Sequence, residues 1–201
     1  MKFVIGLLIA TVVAVGGFYA VNYLSFTGML DKTYSREDVV ENFIKYENEF
    51  AQLELYFNSK TPKSKKKQEI TFGLGKEKNQ IILSLYPMEG VINNANPVIG
   101  GNDLELNSSK LDSVIIALGW TNETVDTLIS KLSKTNCELI RTNINHNSIE
   151  IFYKRSGLGL FSYSIFNQPL SEGSMDVYGK PINTNSSRFV NRVVVKYNSA
   201  L

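Results

Sequence analysis

Paired carboxylates are the clearest candidates for chemistry in this sequence, and Asp103 and Glu105 have the spacing for it. Two acids at alternate positions of a strand lie on one face, where they can act together as general acid and base. Arg155 is the cation that would complete such a site. Solvated surface acids have the same spacing, so the catalytic and the surface interpretation both stay open.

Nucleophilic and metal chemistry have little support, because the chain contains one cysteine, Cys137, and one histidine, His146. A single cysteine excludes an internal disulfide framework and a Cys-rich zinc site, and a single histidine excludes a His-rich catalytic metal site. Cys137 is expected to be a small buried apolar residue and His146 a solvated turn residue. The sequence therefore predicts no catalytic residue, no metal site and no cofactor.

Long polar loops and a glycine turn hold the remaining candidates for binding. Loops longer than about 12–15 residues are usually functional or disordered. The candidate stretches are residues 93–103, within a predicted loop at 87–107, and residues 168–187. The glycine turn is flanked by an arginine and a tyrosine. The candidate interaction surface comprises Asp103, Glu105, Arg155, Tyr163, Tyr178 and Lys180. Each of these residues also fits an ordinary protein surface.

Five lysines lie within residues 60–67. They are Lys60, Lys63, Lys65, Lys66 and Lys67. A solvated loop explains them, and so does contact with anionic lipid, where each lysine contributes about 1 kcal/mol near the bilayer. The net charge of the whole chain is only +2. Because no predicted helix has a basic face, the sequence predicts no nucleic-acid partner.

Hydrophobic periodicity shows which elements must position these residues. After a Ser35 cap, apolar residues at three- and four-residue spacing predict one helix at 36–58. A helix from Ser109 to Leu118, ended by Gly119, and another from Asn122 to Lys134 follow. Alternating apolar residues predict strands at 68–74, 80–86, 138–144, 148–154, 160–166 and 189–197. Residues 87–107 are expected to form a long loop, in which a short strand at 103–106 stays open as an alternative.

These elements predict an α+β fold with an antiparallel sheet of five or six strands and about three helices. Turn signals at 145–147 and 156–159 favour antiparallel neighbours in the sheet. No linker separates two cores, so residues 35–201 are expected to form one domain. A tether at 25–34 precedes that domain.

The N-terminal segment carries the strongest signal, because residues 3–30 contain no charged side chain. A helix over residues 3–24 would span about 33 Å, close to the hydrocarbon thickness of a bilayer. Lys2 and the free amine favour the cytoplasmic side for the N-terminus. The sequence therefore predicts a single-pass transmembrane anchor at 1–24 that contacts the lipid bilayer through residues 3–24. The C-terminal domain would be extracytoplasmic, either periplasmic or on the cell surface.

A cleaved signal peptide is the alternative interpretation of the same segment. Its apolar region would be residues 3–13, with cleavage after Ala14. Cleavage there would leave a long apolar stretch at the start of a mature protein, which favours the uncleaved anchor. Both interpretations export the domain.

Several short motifs lie between residues 111 and 166. They are Leu118-Gly119-Trp120-Thr121, Asn136-Cys137, Arg155-Ser-Gly-Leu-Gly159, Tyr163 and Phe166. On these motifs the segment resembles uncharacterised bacterial envelope proteins, which are often membrane-anchored or lipoproteins. This chain lacks the lipobox cysteine of the lipoproteins. The resemblance implies an envelope location and no particular activity.

The sequence thus predicts a single-pass bacterial envelope protein whose exported α+β domain binds a partner, such as another envelope protein. The alternative is an exported enzyme, or a small-ligand or lipid-binding protein, with a cleaved signal peptide. The enzyme would use carboxylate, tyrosine and lysine groups and would need a pocket where they converge.

Overall fold

Seven strands in one antiparallel sheet dominate the computed structural model of this chain. The structure describes residues 15–19, 33–62, 68–75, 77, 79–86, 99–143, 145–156 and 159–199. The strands are β1 (Glu69–Leu74), β2 (Gln80–Tyr86), β3 (Ile99–Glu105), β4 (Leu139–Asn143), β5 (Ser148–Ser156), β6 (Gly159–Phe166) and β7 (Val193–Ser199). The α-helices that follow residue 33 are α1 (Arg36–Lys45), α2 (Glu47–Lys60), α3 (Ser109–Leu118), α4 (Asn122–Lys134) and α5 (Glu172–Tyr178). The predicted α+β fold with an antiparallel sheet is confirmed.

The sheet consists of two runs of consecutive strands placed side by side. Its order is β3-β2-β1-β4-β5-β6-β7, and every neighbouring pair is antiparallel. β4 pairs with β1, with Phe72 opposite Ile140, so α3 and α4 lead the chain from the β3 edge back to the middle of the sheet. Strand ends that are far apart in the sequence therefore meet at one end of the sheet.

The expected count of five or six strands is wrong, because β3 is a full member of the sheet. The sequence pattern predicted only a short strand at 103–106, whereas β3 begins at Ile99. Its first half was not predicted, because it contains Gly100 and Gly101 and glycine is depleted in strands. Gly100 has a φ of +118°, and a Cβ at this position would collide with the carbonyl oxygen of Leu83. The glycine is therefore required for β3 to approach β2.

The helices are also more numerous than the three expected. Two helices, α1 and α2, replace the single helix predicted at 36–58, and the break is at Tyr46, where φ is −113° and ψ is 26°. The apolar stripe continues across the break, so its spacing does not reveal the break. α5 lies in a stretch that was expected to be a loop. Its seven residues carry no apolar stripe that would predict a helix, and none of them is buried.

The helices α3 and α4 are confirmed with the predicted ends. Gly119 follows α3 in the left-handed conformation, with a φ of +66°. The Thr121 side chain accepts a hydrogen bond from the Thr124 N–H and caps α4. Trp120, in the turn between these helices, donates from Nε1 to the carbonyl oxygen of Lys60 at 2.7 Å. This bond fixes the turn against the end of α2.

The core lies between one face of the sheet and the helices α1 to α4. Phe43 and Phe50 extend from the helices, and their ring centroids are 5.4 and 4.9 Å from that of Tyr163 on β6. Phe189 contacts the same cluster, 5.2 Å from Phe43. All four rings are fully buried. Aromatic contacts of this kind contribute beyond the area that they bury.

A buried ion-pair cluster ties the C-terminal part of the chain to α2. The Glu54 side chain is 3% exposed, and its carboxylate accepts hydrogen bonds from Arg188 Nε at 2.9 Å and from Arg192 Nη2 at 2.6 Å. Arg192 also donates to the backbone carbonyl oxygens of Phe166 and Arg188. The carboxylate thus holds the connection that precedes β7 against α2.

The predicted transmembrane anchor falls mostly outside the described residues. Of residues 1–24, only 15–19 are described, and they are helical. Within the ranges that the structure describes, no helix is both long enough and apolar enough to span a bilayer. The anchor at 1–24 and the tether at 25–34 stay predictions.

Candidate functional site

A cleft lined mostly by polar residue types opens at one end of the sheet, where α2, β4 and β6 end and β1 and β5 begin. Its volume is about 290 Å³, near the lower limit for small-molecule sites. Five carboxamide side chains line it: Asn58, Gln68, Asn143, Asn147 and Asn167. The rest of the lining is Thr61, Thr142, Ser148 and Ile149. We call this site the amide cleft.

Several amides and hydroxyls of the amide cleft are held in place by bonds to the fold. Asn167 Nδ2 donates to Asn147 Oδ1 at 2.6 Å, which joins the β4–β5 turn to the end of β6. Thr142 Oγ1 accepts a hydrogen bond from the Ile70 N–H at 2.9 Å. Asn143 Nδ2 donates to Glu150 Oε1 at 2.9 Å. The site is therefore built before any ligand arrives.

Two polar atoms of the amide cleft are buried without a hydrogen-bond partner among the described residues. They are Gln68 Oε1 and Ser148 Oγ. Ser148 is 5% exposed. Most buried polar groups in proteins have a partner, because an unmade bond costs about 1–3 kcal/mol. Because both atoms have almost no accessible surface, a buried water molecule is the partner that fits them.

A charged cluster lies beside the amide cleft on the face of the sheet opposite the core. Arg141 donates from Nε and Nη2 to Glu150 Oε2 at 2.8 and 2.6 Å. Arg141 Nη1 is 3.8 Å from Glu69 Oε1, and Lys196 Nζ is 3.9 Å from Glu150 Oε1. Asn143, which bonds to Glu150, connects this cluster with the amide cleft.

The two carboxyl groups of this cluster have pKa values shifted in opposite directions. Burial raises the pKa of Glu150, but the Arg141 charge and the hydrogen bonds from Arg141 and Asn143 outweigh burial and hold it below its ordinary value. For Glu69, burial outweighs the attraction of Arg141 and raises the pKa, and the charge of Glu150 raises it further. The surroundings therefore favour the charged form of Glu150 and disfavour the charged form of Glu69.

These shifts predict opposite pH dependences for two matched substitutions. Because the pKa of Glu150 is lowered on folding, its stabilising contribution is present above pH 4.5 and is lost as the pH falls through the folded pKa. Glu150→Gln should therefore lose less stability on acidification than the wild type. Glu69 has a raised pKa and favours the folded state on protonation, so Glu69→Gln should lose more.

Urea unfolding midpoints measured between about pH 3 and 7 test this pair of substitutions. When the urea midpoint is plotted against pH, the slope for the wild type should lie between the slopes for the two variants. Equal slopes, or slopes in the reverse order, would show that the two carboxyl groups do not have these pKa shifts.

The predicted carboxylate–arginine site draws on two strands that are not neighbours in the sheet. Asp103 and Glu105 lie exposed on β3. Arg155 belongs to β5, which is four positions away in the strand order. At about 4.8 Å for each strand, the two strands are roughly 19 Å apart. The order of the strands therefore does not bring these residues together.

The other predicted surface residues have different environments. Tyr163 is fully buried, and its hydroxyl donates to the Val39 carbonyl oxygen at 2.7 Å. It therefore belongs to the core and, contrary to the prediction, cannot contribute to an interaction surface. Tyr178 is half-buried, and its hydroxyl is 3.2 Å from His146 Nδ1. Lys180 is exposed.

The lysine-rich segment falls largely outside the described residues. Lys60 is exposed, with Nζ 5.4 Å from the centroid of the Tyr56 ring. Lys63, Lys65, Lys66 and Lys67 are not among the described residues. Thr61 and Gln68, on either side of them, line the amide cleft.

The residues considered for nucleophilic chemistry are placed as the sequence predicts. Cys137 is buried, and burial raises the pKa of its thiol to about 12. The thiol is therefore protonated at neutral pH and is a poor nucleophile. His146 is exposed in the β4–β5 turn. Among the described residues, no group of three or more His, Cys, Asp or Glu side chains could hold a metal ion.

A second depression, of about 260 Å³, lies at the opposite end of the sheet beside α1. Asn42 and Tyr153 contribute to it. Asn42 Nδ2 donates to the Thr135 carbonyl oxygen and to the Tyr163 hydroxyl, both at 3.1 Å. Because these bonds already use the Asn42 amide donor, this depression is a weaker candidate than the amide cleft.

The sequence analysis missed the carboxamides of the amide cleft. Gln68, Asn143, Asn147 and Asn167 each lie at or next to the end of a predicted strand. That position was a usable signal, because the start of one antiparallel strand lies beside the end of its neighbour. Asn58 gave no comparable signal, because only the packing of α2 brings it there.

Comparisons of this chain with protein-family models, with curated proteins and with solved structures found no match. The resemblance of residues 111–166 to bacterial envelope proteins stays a prediction.

Proposed function

We propose that this chain is a membrane-anchored bacterial envelope protein whose exported α+β domain is a binding module with the amide cleft as its site. The uncharged residues 3–30 support the anchor. The cleft at one end of the sheet, lined by five carboxamide side chains, is the observation that carries the binding function.

The start of the domain is tied to the end of the sheet opposite the amide cleft. Tyr34 N–H donates to Ser156 Oγ at 2.7 Å, and Ser156 Oγ donates to the Tyr34 carbonyl oxygen at 3.1 Å. Ser156 is the last residue of β5, and Ser148, in the cleft, is the first. Eight residue steps of strand separate the two ends by about 26 Å.

The attachment point favours one orientation of the domain. A chain that leaves the membrane through residues 25–33 reaches the fold at Tyr34, so the Ser156 end of β5 is the end tied to the anchor. The amide cleft lies at the opposite end, where a partner can approach it. Thr61 and Gln68, the described residues on either side of the lysine-rich segment, also line the cleft at the far end.

Thiol labelling tests the compartment, because the native Cys137 is 2% exposed. The Lys180→Cys variant adds an exposed thiol to a chain whose native thiol is too buried to be labelled. A membrane-impermeant maleimide should label this variant in intact spheroplasts, while the wild type stays unlabelled. Labelling only after lysis would place the domain in the cytoplasm and contradict the proposal.

Carbonate extraction of membranes tests the anchor separately. The full-length chain should stay in the membrane pellet, and a matched variant that lacks residues 3–24 should be released. Intact mass should equal that of the whole chain. Release of the full-length protein, or a mass that lacks residues 1–14, would replace the anchor with a cleaved signal peptide.

A further inference from the structure

The depression beside α1 lies where the chain joins the fold, because Tyr34 itself belongs to its lining. Tyr34 is held there by its two hydrogen bonds to Ser156. The same lining carries both signs of charge, from Asp38, Glu41 and Lys45 on α1. We call this site the α1 depression. Its position and its charges together indicate what it can bind.

Two opposite charges of the α1 depression are not paired with each other. Glu41 and Lys45 are four residues apart on α1, a spacing at which a glutamate and a lysine can pair. Neither forms an ion pair with a described residue, and Lys45 Nζ lies instead 5.0 Å from the centroid of the Tyr46 ring. Both side chains are exposed, so one ligand can contact a carboxylate and an ammonium group at the same site.

A second positive charge borders the α1 depression. Lys154 Nζ donates to Oδ1 of Asn136, which is a lining residue, at 2.7 Å. This bond fixes the Lys154 ammonium group at the rim, on the side of β5. Positive charge therefore reaches the depression from two elements, α1 and β5, while its carboxylates come from α1.

Tyr153 adds a hydroxyl that has no hydrogen-bond partner among the described residues. The residue is 5% exposed and lines the α1 depression. Unlike Ser148 Oγ in the amide cleft, its oxygen keeps accessible surface. Burial raises the pKa of this hydroxyl, so it is protonated at neutral pH and can donate. Because most buried polar groups have a partner, this donor is expected to be used by a water molecule or a ligand in the depression.

The tether keeps the α1 depression close to lipid. Residues 25–33 separate the predicted anchor from Tyr34, and nine residues span at most about 32 Å when fully extended. The amide cleft lies about 26 Å farther along β5. Lipid headgroups at the membrane surface are therefore the ligands most concentrated around the α1 depression.

We propose that the α1 depression binds a zwitterionic phospholipid headgroup with a primary ammonium group, as in phosphatidylethanolamine. This inference rests on the proposed function, because the anchor brings the depression to the lipid. The ammonium group donates to the Glu41 carboxylate, and the phosphate accepts from Lys45 and from the Tyr153 hydroxyl. A choline headgroup has no N–H to donate to Glu41. An anionic glycerol headgroup has no positive charge to place beside this carboxylate.

Native mass spectrometry of the full-length chain tests this preference. The chain is kept in a non-ionic detergent with equal amounts of phosphatidylethanolamine, phosphatidylcholine and phosphatidylglycerol. Lipid around an anchor helix is not selective, so the measured quantity is the ratio of bound phosphatidylethanolamine to bound phosphatidylcholine. A charged hydrogen bond to Glu41 should raise this ratio to about tenfold. Equal binding of the two lipids would overturn the proposal.

Matched substitutions separate the site from the anchor and from folding. Glu41→Gln removes the carboxylate charge and should return the ratio to about one. Glu37→Gln, at an exposed position on the same helix that does not line the depression, should leave the ratio unchanged. Tyr153→Phe removes only the hydroxyl and should lower bound phosphatidylethanolamine by about fivefold. Equal effects of Glu41→Gln and Glu37→Gln would contradict the site.

Saturation-transfer NMR with soluble probes distinguishes a lipid headgroup from a free amine. Glycerophosphoethanolamine should bind to the full-length chain, and ethanolamine, which lacks the phosphate, should bind at least fivefold more weakly. Equal binding of the two probes would show that the ligand is a free amine and not a lipid.

The outcomes also separate this site from the proposed function. Equal lipid binding by a chain that stays in the carbonate pellet would overturn the headgroup site and leave the anchored module standing. Release of the full-length chain from carbonate-washed membranes would overturn the anchor and, with it, the membrane as the source of the ligand.

Discussion

Glu54→Gln is expected to lower the free energy of unfolding by about 3 kcal/mol, the usual result of removing one partner of a buried ion pair. The Arg192 side chain is 12% exposed, and its Nη2 lies 2.6 Å from Glu54 Oε1. Without the carboxylate charge, this guanidinium stays buried without a counter-ion. Arg188 is 34% exposed and can be solvated, so it contributes less to the loss.

Urea unfolding followed by tryptophan fluorescence measures this effect. Trp120 is the single tryptophan of the chain and is 6% exposed, so its emission reports on loss of the core. Glu41→Gln, at an exposed position on α1, is the matched control and should change stability by no more than about 0.5 kcal/mol. A Glu54→Gln variant as stable as this control would show that the cluster is solvated.

Phe43→Ala is expected to lower the free energy of unfolding by about 4 kcal/mol. Phe43 is fully buried where α1 meets the sheet, and its ring contacts those of Phe50, Tyr163 and Phe189. Truncation removes the burial of the ring and leaves a cavity among three large side chains. These side chains come from three separate elements, so the cavity cannot close through a shift of one helix.

The neighbouring residue supplies the control for this substitution. Ile44 is 38% exposed on the same helix, so Ile44→Ala tests the loss of a large side chain without a cavity. We expect a change of about 0.5 kcal/mol for it. Both variants are compared by the same urea unfolding. Similar losses for the two positions would mean that α1 contributes to stability only through its helix and not through the aromatic cluster.

Local signals were enough to predict the elements that depend on local physics. The strand β2 and the helices α3 and α4 have the predicted ends, because alternation, a Thr121 cap and a Gly119 terminator act within a few residues. β3 was predicted too short, because its glycines are explained only by the neighbouring β2 backbone. The division between α1 and α2 was missed, because the same apolar face continues across it.

The Glu54 ion-pair cluster and the candidate site could not be predicted, because both depend on contacts between residues far apart in the sequence. The Glu54 cluster joins residues 134 and 138 positions apart. The amide cleft combines Asn58, Gln68 and Asn167, which only the pairing of β1 with β4 and the packing of α2 bring together. The predicted interaction surface was wrong at Tyr163, because this residue is buried and its burial depends on tertiary packing. An aromatic residue in an alternating strand has the same spacing on either face.

The two hydrogen bonds between Tyr34 and Ser156 have a mechanical consequence. If the anchor is held in a membrane and a ligand is held in the amide cleft, tension enters the domain at one end of β5 and leaves at the other. Such a pull runs along the strands and perpendicular to their hydrogen bonds. The bonds of the ladder then share the load and must rupture together, as in shear, so this domain should resist stretching better than one that is peeled from an edge strand.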